Sequence, residues 1–541
     1  MKKRNTATGR RVRKFVQAAC HILFCLLLAN AGNGGLFGLS ADIFLRLDPL
    51  SGIAVPVAAR SFITALWPAL VVILIAFFAG RIFCGWICPM GTTLDIAGTL
   101  VRRKKNLRSG DPLPRSVKYY ILGAVLAAAV LGVNMAFWAS PIPLVTRLYA
   151  LVLHPLALLG ADSGLAAVLP VLEGTGVTQA QYWFPVLRSY DTALFVACFW
   201  GGLIVLERIR PRFWCRYLCP AGALLGLCSR LAFQRRRTSS ACNGCGRCAA
   251  SCPAGILDTH PCVADPTECL SCHECESACP RRAVTFGRTG IAALHDPAGE
   301  QSFKPSRRAF CGAVLAGTVL AGAARLETAA SAEPSGPLVR PPGSVPETDF
   351  LAKCERCGEC MKACPTGGLQ PAALQAGFSG MFTAFLDPRS GPCDPNCSAC
   401  GNVCPSRAIQ PLPLAEKRWA KIGTAEVDKK LCLAWAEDKR CMVCQETCPY
   451  GAVSVVPQEG HIAPVPVVRP ERCYGCGYCE KHCPTAKASI KVTPLGALRR
   501  HDASYASAAR SAGLELDPTR RHVEQPVFDP AGQGAPPGFL E

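Results

Sequence analysis

The chain has 541 residues; half are hydrophobic, 18% are charged, and the formal net charge is +20. That length accommodates about two to four domains, and 49 Gly and 44 Pro beside so many apolar residues point to apolar helices joined to loop-rich modules. The charge does not read as a nucleic-acid footprint, because the basic residues gather in short blocks between apolar runs.

The first block, residues 1–14, holds seven Lys/Arg; a second, 102–118, holds seven more; a third comprises Arg208, Arg210, Arg212, Arg216 and Arg235 to Arg237. Four apolar stretches between them, 15–39, 62–83, 118–139 and 191–209, approach the roughly 20 residues needed to cross a bilayer, the first broken by Asn30 and Asn33 with an alternative end near Ala31. Placing every basic block on the inner side lets the four helices alternate, with only Arg46, Arg60, Arg147 and Arg188 left for the outer loops. The apolar segment 144–172 is interrupted by Pro155 and Pro170 and carries Asp162, and so reads as a re-entrant or interfacial piece.

Two echoes fall at the inner ends of the second and fourth spans. "FCGWICPMG" carries Cys84 and Cys88, and "WCRYLCPAGAL" carries Cys215 and Cys219. Each is Cys-x3-Cys-Pro, which implies two similar helical hairpins. Four converging thiolates suit a further metal or redox centre, an iron–sulfur cluster or a zinc ion; as small apolar side chains, the same cysteines would simply pack. Haem is disfavoured because this half has only His21 and His154, and "CLSCH" from Cys269 lies inside a stronger cysteine pattern.

That pattern is Cys-x2-Cys-x2-Cys-x3-Cys-Pro, the bacterial run for [4Fe–4S] clusters. It occurs at Cys242, Cys245, Cys248 and Cys252, and again at Cys269, Cys272, Cys275 and Cys279. Three cysteines at this spacing wrap one face of a cube, with backbone N–H groups aimed at the sulfurs. The fourth is expected to open a short helix and to ligate the neighbouring cube. Cys242, Cys245, Cys248 and Cys279 then hold one cube, and Cys269, Cys272, Cys275 and Cys252 the other.

Next comes a segment with the marks of an exported protein's start. Arg307 and Arg308 precede sixteen uncharged residues, 309–324, and Ala330-Ser331-Ala332 resembles a cleavage site. Twin arginines address the route that exports folded proteins, so the segment reads as a signal or anchor helix that carries the chain outward. A helix on the inner side with two incidental arginines is the alternative.

Four more runs follow. Those at Cys354, Cys357, Cys360 and Cys364 and at Cys473, Cys476, Cys479 and Cys483 are regular. Those at Cys393, Cys397, Cys400 and Cys404 and at Cys432, Cys441, Cys444 and Cys448 have a lengthened first gap. Two regular outer runs around two variant inner ones suggest nested pairing; sequential pairing is the other possibility. Cys20, Cys25, Cys198, Cys228, Cys262 and Cys311 are left to pack.

The first half resembles NapH-type polytopic membrane ferredoxins, through its two Cys-x3-Cys-Pro motifs and two-cluster domain. The second, from about residue 306 to 495, resembles NapG- and MauM-type exported ferredoxins, most closely at "VDKKLCLAW" and "CMVCQETCP". In that family the pair forms a quinol dehydrogenase serving a periplasmic reductase such as nitrate reductase; the fusion into one chain is the departure.

The expected fold is therefore multidomain: an α-helical membrane bundle of four helices plus one signal or anchor helix, with two α+β ferredoxin-like [4Fe–4S] modules. The expected division is 1–230 membrane domain, 231–300 cytoplasmic two-cluster domain, 301–345 signal and linker, 346–500 exocytoplasmic four-cluster domain, and 501–541 disordered tail. The resemblance implies a multi-pass protein of the bacterial inner membrane, with its first ferredoxin domain cytoplasmic and its second periplasmic. It implies six [4Fe–4S] clusters and quinol as the substrate. The membrane quinone pool and a periplasmic reductase, or a cytochrome- or ferredoxin-type acceptor, are the partners, and nucleic acid is not. No terminal substrate site of its own is visible. The competing readings are a redox maturation or regulatory factor for a partner metalloenzyme, and reverse flow from a cytoplasmic ferredoxin.

Overall fold

The computed structural model describes residues 7–33, 35–36, 38–101, 111–174, 188–257, 265–288, 306–330, 338–502 and 504–516. Expectations that fall on most of the second basic block, on Cys262, on Ser331 and Ala332 and on 517–541 lie outside the described residues.

Helix α1 (Ala7–Ala29) starts earlier than the expected first span and stops close to the early end that Asn30 and Asn33 indicate. Beyond it a 3-10 turn and a two-residue hairpin, Gly35–Leu36 with Leu39–Ser40, replace the helix, and Gly35 and Gly38 take positive φ there. The next three expected spans are apolar helices too short to cross alone, with α2 (Trp67–Ala79) preceding the first Cys-x3-Cys-Pro and α3 (Pro89–Leu100) following it. Helix α2 ends at Gly80, whose φ of 73° ordinary side chains avoid. Helix α4 (Val117–Val130) ends just before Gly132, φ 79°. These breaks, invisible to a hydropathy window, shorten the helices.

Helices α5 (Pro141–Leu148) and α6 (His154–Gly174) are joined by a π-helical turn, Tyr149–Leu153. A proline clashes with the carbonyl four residues back, and the wider turn ahead of Pro155 accommodates it. The resulting helix is long and apolar enough to cross a membrane over Pro141–Leu165, as are Thr8–Ala29 and Arg307–Glu327. Helix α7 (Ala193–Glu207) leads to a second π-helix, Trp214–Leu218, and then to α8 (Pro220–Ser229). The last long helix, α9 (Arg307–Ala330), begins at the twin arginines, both exposed.

The two cysteine-rich modules sit at opposite ends of this bundle. At one end Glu268 accepts hydrogen bonds from Lys118 Nζ (2.5 Å), Arg81 Nη1 (3.1 Å) and Tyr119 (3.3 Å). Glu274 pairs with Arg13 (2.8 Å), and Trp86 donates to the Ser271 carbonyl (3.1 Å). At the other end Asn134 donates to the Cys354 carbonyl (3.2 Å), Arg147 to the Arg356 carbonyl (3.0 Å) and Lys362 to the Ala29 carbonyl (3.0 Å). The Arg356 guanidinium lies 3.6 Å from the Phe137 ring centroid, and Trp138 stacks on Phe378. Helices α1, α2, α4 and α7 therefore run alternately between the two ends. The α5–α6 segment starts beside the second module, Leu151 touches Gly358, and the chain comes back at Tyr190, which donates to the Met361 carbonyl.

Helix α9 lies parallel to α4. Ser306 is bonded to the Tyr120 hydroxyl, Phe310 packs on Gly123, and Arg325 reaches Gly132. Gly317 makes this possible: a Cβ there would lie 2.4 Å from the Ala124 carbonyl oxygen. Glu327 then accepts from the amides of Phe378 and Ser379 in the second module. The mid-chain segment thus carries the chain from one end of the bundle to the other.

Each module is built from strand-flanked cysteine runs. In the first, Gln234–Thr238 pairs antiparallel with Val284–Arg288 around both runs. The second contains two such units. Leu369–Pro371 pairs with Ala384–Leu386, and Ser344 bridges to Ile409. Thr424–Val427 pairs with Ile490–Thr493, and Val453–Val456 with Val465–Val468. The second module reaches past both expected limits. Arg340 is buried against Glu347, and the start of the expected disordered tail is instead the helix Tyr505–Ser511, with Tyr505 fully buried and Arg510 over the Trp419 ring.

Candidate metal centres

The four regular runs make the same turn, which the two lengthened runs lack at Ser398 (φ −126°) and Met442 (φ −121°). In the first run Gly244 and Gly246 have φ near 70°, and the matching positions of the second run, Ser271 and His273, take φ of 48° and 57° without glycine. This left-handed pair wraps the loop. A short helix then carries the third cysteine, as in Arg247–Ala250, Glu274–Ala278 and Glu359–Ala363. The fourth cysteine ends that helix rather than opening one, as had been expected. Cys279 and Cys364 have extended backbones because the residue before a proline is kept out of the α region. Their sulfurs receive backbone N–H groups from downstream: Ala283 to Cys279 (3.3 Å), Ile409 to Cys404 (3.4 Å) and Ala452 to Cys448 (3.3 Å). Burial raises the Cys483 thiol, but hydrogen bonds from Ser489 and Thr485 outweigh it and bring it down to about 7.

The fold gathers the cysteines in fours. One space is lined by Cys242, Cys245, Cys248 and Cys279, and another by Cys252, Cys269, Cys272 and Cys275, as the sequence suggests. In the second module Cys354, Cys357 and Cys360 are joined by Cys404, and Cys393, Cys397 and Cys400 by Cys364. Cys432, Cys441 and Cys444 are joined by Cys483. Cys473, Cys476 and Cys479 share their electrostatic surroundings with Cys448. The grouping is sequential, and the nested pairing is wrong: the strand pairs above close runs three and four into one unit and runs five and six into another, whatever their gap lengths.

These sets fit a cube better than a single ion. Every cysteine among the described residues is a free thiol, and no three of His, Cys, Asp or Glu there come close enough to grip one metal ion. Five sets of four instead each line one common space. His273, of the haem-like "CLSCH", faces Glu276 (2.7 Å). Among the leftover cysteines, Cys228 is buried and Cys20 and Cys25 are half-buried, whereas Cys198 and Cys311 are exposed on helix flanks.

The four sites of the second module form a line. The site holding Cys354 abuts the bundle. Burial, with Asp48 and Asp42 nearby, pushes the Glu355 carboxyl far above the usual range, and burial beside Asp42 does the same to Glu359. Cys360 feels Cys400 and Cys364 of the second site. Cys393 of that site donates its amide to the Cys476 carbonyl of the third (2.8 Å), where Tyr450 and Tyr474 stack at 5.0 Å. Cys479 of the third feels Cys444 of the fourth.

The structure also brings Cys84, Cys88, Cys215 and Cys219 together: Cys88 feels Cys84 and Cys215, and Cys219 feels all three others. Cys88 and Cys219 are N-cap residues with proline next in α3 and α8, and the Cys219 sulfur accepts from the Gly222 amide (3.3 Å). Cys-Pro thus sets a thiol at the positive end of a helix whose first residue needs no N–H donor. Sequence reasoning missed Arg81 and Arg212. Both are buried, and both stand three residues before the first cysteine of a pair, so the repeat is Arg-x2-Cys-x3-Cys-Pro. Arg81 lies among Cys84, Cys219 and Glu268. Arg212 bonds Asp95 (2.7 and 2.8 Å) and faces Cys215 and Cys272, so it links this site to the nearest site of the first module.

Comparison with known families follows the same lines. A 4Fe-4S binding domain model matches twice, at residues 62–108 and 192–239, covering both hairpins. Another 4Fe-4S binding domain matches 350–370, and a 4Fe-4S dicluster domain matches 438–487. The methylamine utilization ferredoxin-type protein MauM of Paracoccus denitrificans is 39% identical over 163 residues, 29% of this chain and 71% of its own. MauM of Methylorubrum extorquens is 36% identical over 219 residues, 37% and 97% of the two chains. The ferredoxin-type protein NapG of Escherichia coli is 36% identical over 175 residues, 30% and 74%. No solved structure matches. Through these relatives, each aligned over more than two thirds of its own length, the chain belongs to the MauM and NapG family of ferredoxin-type, 4Fe-4S-binding proteins.

Proposed function

We propose that this iron–sulfur electron-transfer protein is membrane-bound, oxidises a quinol, and delivers the electrons through its second module to a reductase or cytochrome-type acceptor on the far side. The division into a membrane domain, a cytoplasmic first module, an exported second module and an Arg307-Arg308 crossing helix belongs to this reading, as do six [4Fe–4S] cubes held by the six sets of four cysteines. Such cubes store and release single electrons at thiolate-ligated iron. The observation that carries the proposal is the succession of four cysteine sets, each close enough to act on the next, from the bundle face outward.

The chain's own residues supply the rest. Backbone N–H groups on the fourth cysteines offset negative charge at the sulfurs. Arg81 and Arg212 place two fixed cations beside the four thiols of the hairpins, which suits a further centre there. Cys272, within reach of Arg212, supports a second connection from that centre to the first module.

The test uses purified protein in liposomes. Addition of a quinol should bleach the visible cluster absorbance, with dithionite setting the full extent. If several quinols leave it unchanged while a reduced ferredoxin bleaches it, the reading fails in favour of flow from the inner side.

A further inference from the structure

Three polar side chains meet among the apolar helices away from every cysteine set described above. His21 Nε2 lies 3.0 Å from the Tyr149 hydroxyl, which lies 3.4 Å from Thr93 Oγ1. All three are half-buried. An ionisable side chain at such depth marks function until shown otherwise. Tyr149 begins one of the two π-helices among the described residues, and the other carries Cys215. Such turns recur at functional sites.

Thr93 spends its proton on the Pro89 carbonyl (2.9 Å) and so is free to accept from Tyr149; with Tyr149 donating there, His21 Nε2–H donates to Tyr149. In that order Nδ1 of His21 is a bare acceptor, buried and without a hydrogen-bond partner. The edge-on Phe24 ring, 5.5 Å from that of Tyr149, adds an aromatic wall. An apolar setting with few, well-placed polar groups is how small-molecule sites are built.

The position is also suggestive. His21 is eight residues from Arg13, which holds the first module, and eight from Ala29, which holds the second. That is about 12 Å along the helix in each direction. Thr93 stands on the helix that Cys88 caps, about 8 Å along its axis from that thiol.

We propose that His21, Tyr149 and Thr93 form the head-group site for the quinol, with a quinol hydroxyl donating to His21 Nδ1. This rests on the quinol reading above and names its site. A free hydroxyl satisfies the bare acceptor, whereas the carbonyl of an oxidised quinone does not, so the site prefers the reduced form.

Binding is measured by equilibrium dialysis of a short-chain alkyl hydroquinone against the full-length protein in detergent, reduced beforehand with dithionite so that no electron transfer follows. Wild type should bind the hydroquinone more tightly than the dimethyl ether of the same ring. His21→Ala should weaken binding at least tenfold, and Tyr149→Phe at least threefold. His21→Asn, whose amide oxygen can stand near the Nδ1 position, should recover part of the loss, and His154→Ala should change nothing. Only variants with the wild-type reduced spectrum are compared. Undiminished binding by both His21→Ala and Tyr149→Phe overturns this site while leaving the quinol reading intact. A wild type that binds no hydroquinone overturns both.

Discussion

Glu268 joins the first module to the bundle. Its side chain is 6% exposed, against 2% for Arg81 and 0% for Lys118, and both cations lie within 3.1 Å. Removing one member of a buried ion pair costs about 3–5 kcal/mol, because the remaining charge has no water to turn to. Glu268→Gln keeps the shape and one acceptor but leaves two neighbouring cations without a counter-charge. We expect destabilisation of about 3–5 kcal/mol, or roughly two to four powers of ten in the docking equilibrium. Hydrogen exchange over 265–279 in detergent, titrated with denaturant, reads this directly: protection there should fall while that of 424–427 and 490–493 stays. Adding Lys118→Met should restore part of the loss, since removing both partners of a buried pair is often close to neutral. If Glu268→Gln changes stability by less than about 0.5 kcal/mol, a range ordinary for surface substitutions, the docking account is wrong.

Sequential grouping predicts that Cys364→Ala and Cys393→Ala damage the same cube. Iron lost by the double variant should match that of either single variant, whereas additive losses would restore nested pairing. Glu347 is held below its ordinary 4.5: burial pushes it up, but Arg340 and Arg499 outweigh that. Its folded value being depressed, the stabilisation is complete above 4.5 and is lost as pH falls through the lower folded value. The stability gap between wild type and Glu347→Gln should therefore be full at neutral pH and close in acid; a gap independent of pH would contradict this. Gly317→Leu should lower stability by about 1–3 kcal/mol, the usual cost of overpacking, because a Cβ meets the Ala124 backbone. An unchanged denaturation midpoint would contradict the packing of α9 on α4.

The cysteine runs were readable because ligand spacing is local: a loop of twelve residues carries its own geometry. Which run completes which cube was not, because strands such as Thr424–Val427 and Ile490–Thr493 make that choice across more than sixty residues. The hairpin thiols were legible as a repeat, but Arg81 and Arg212 lay just upstream of the part compared. Spans were overestimated where Gly80 and Gly132 stop helices that composition alone would continue. The π-turn that carries Tyr149, the partner of His21, was not legible either, because periodicity gives no warning of such a turn.

The account stands on the two modules facing opposite sides of a membrane. Its most direct measurement is the accessibility of small tags in oriented vesicles, one beside the exposed Leu374 and one beside the exposed Arg281. The tag at Leu374 should be reached only from the outer side and that at Arg281 only from the inner side. Both tags reacting from the same side would contradict it.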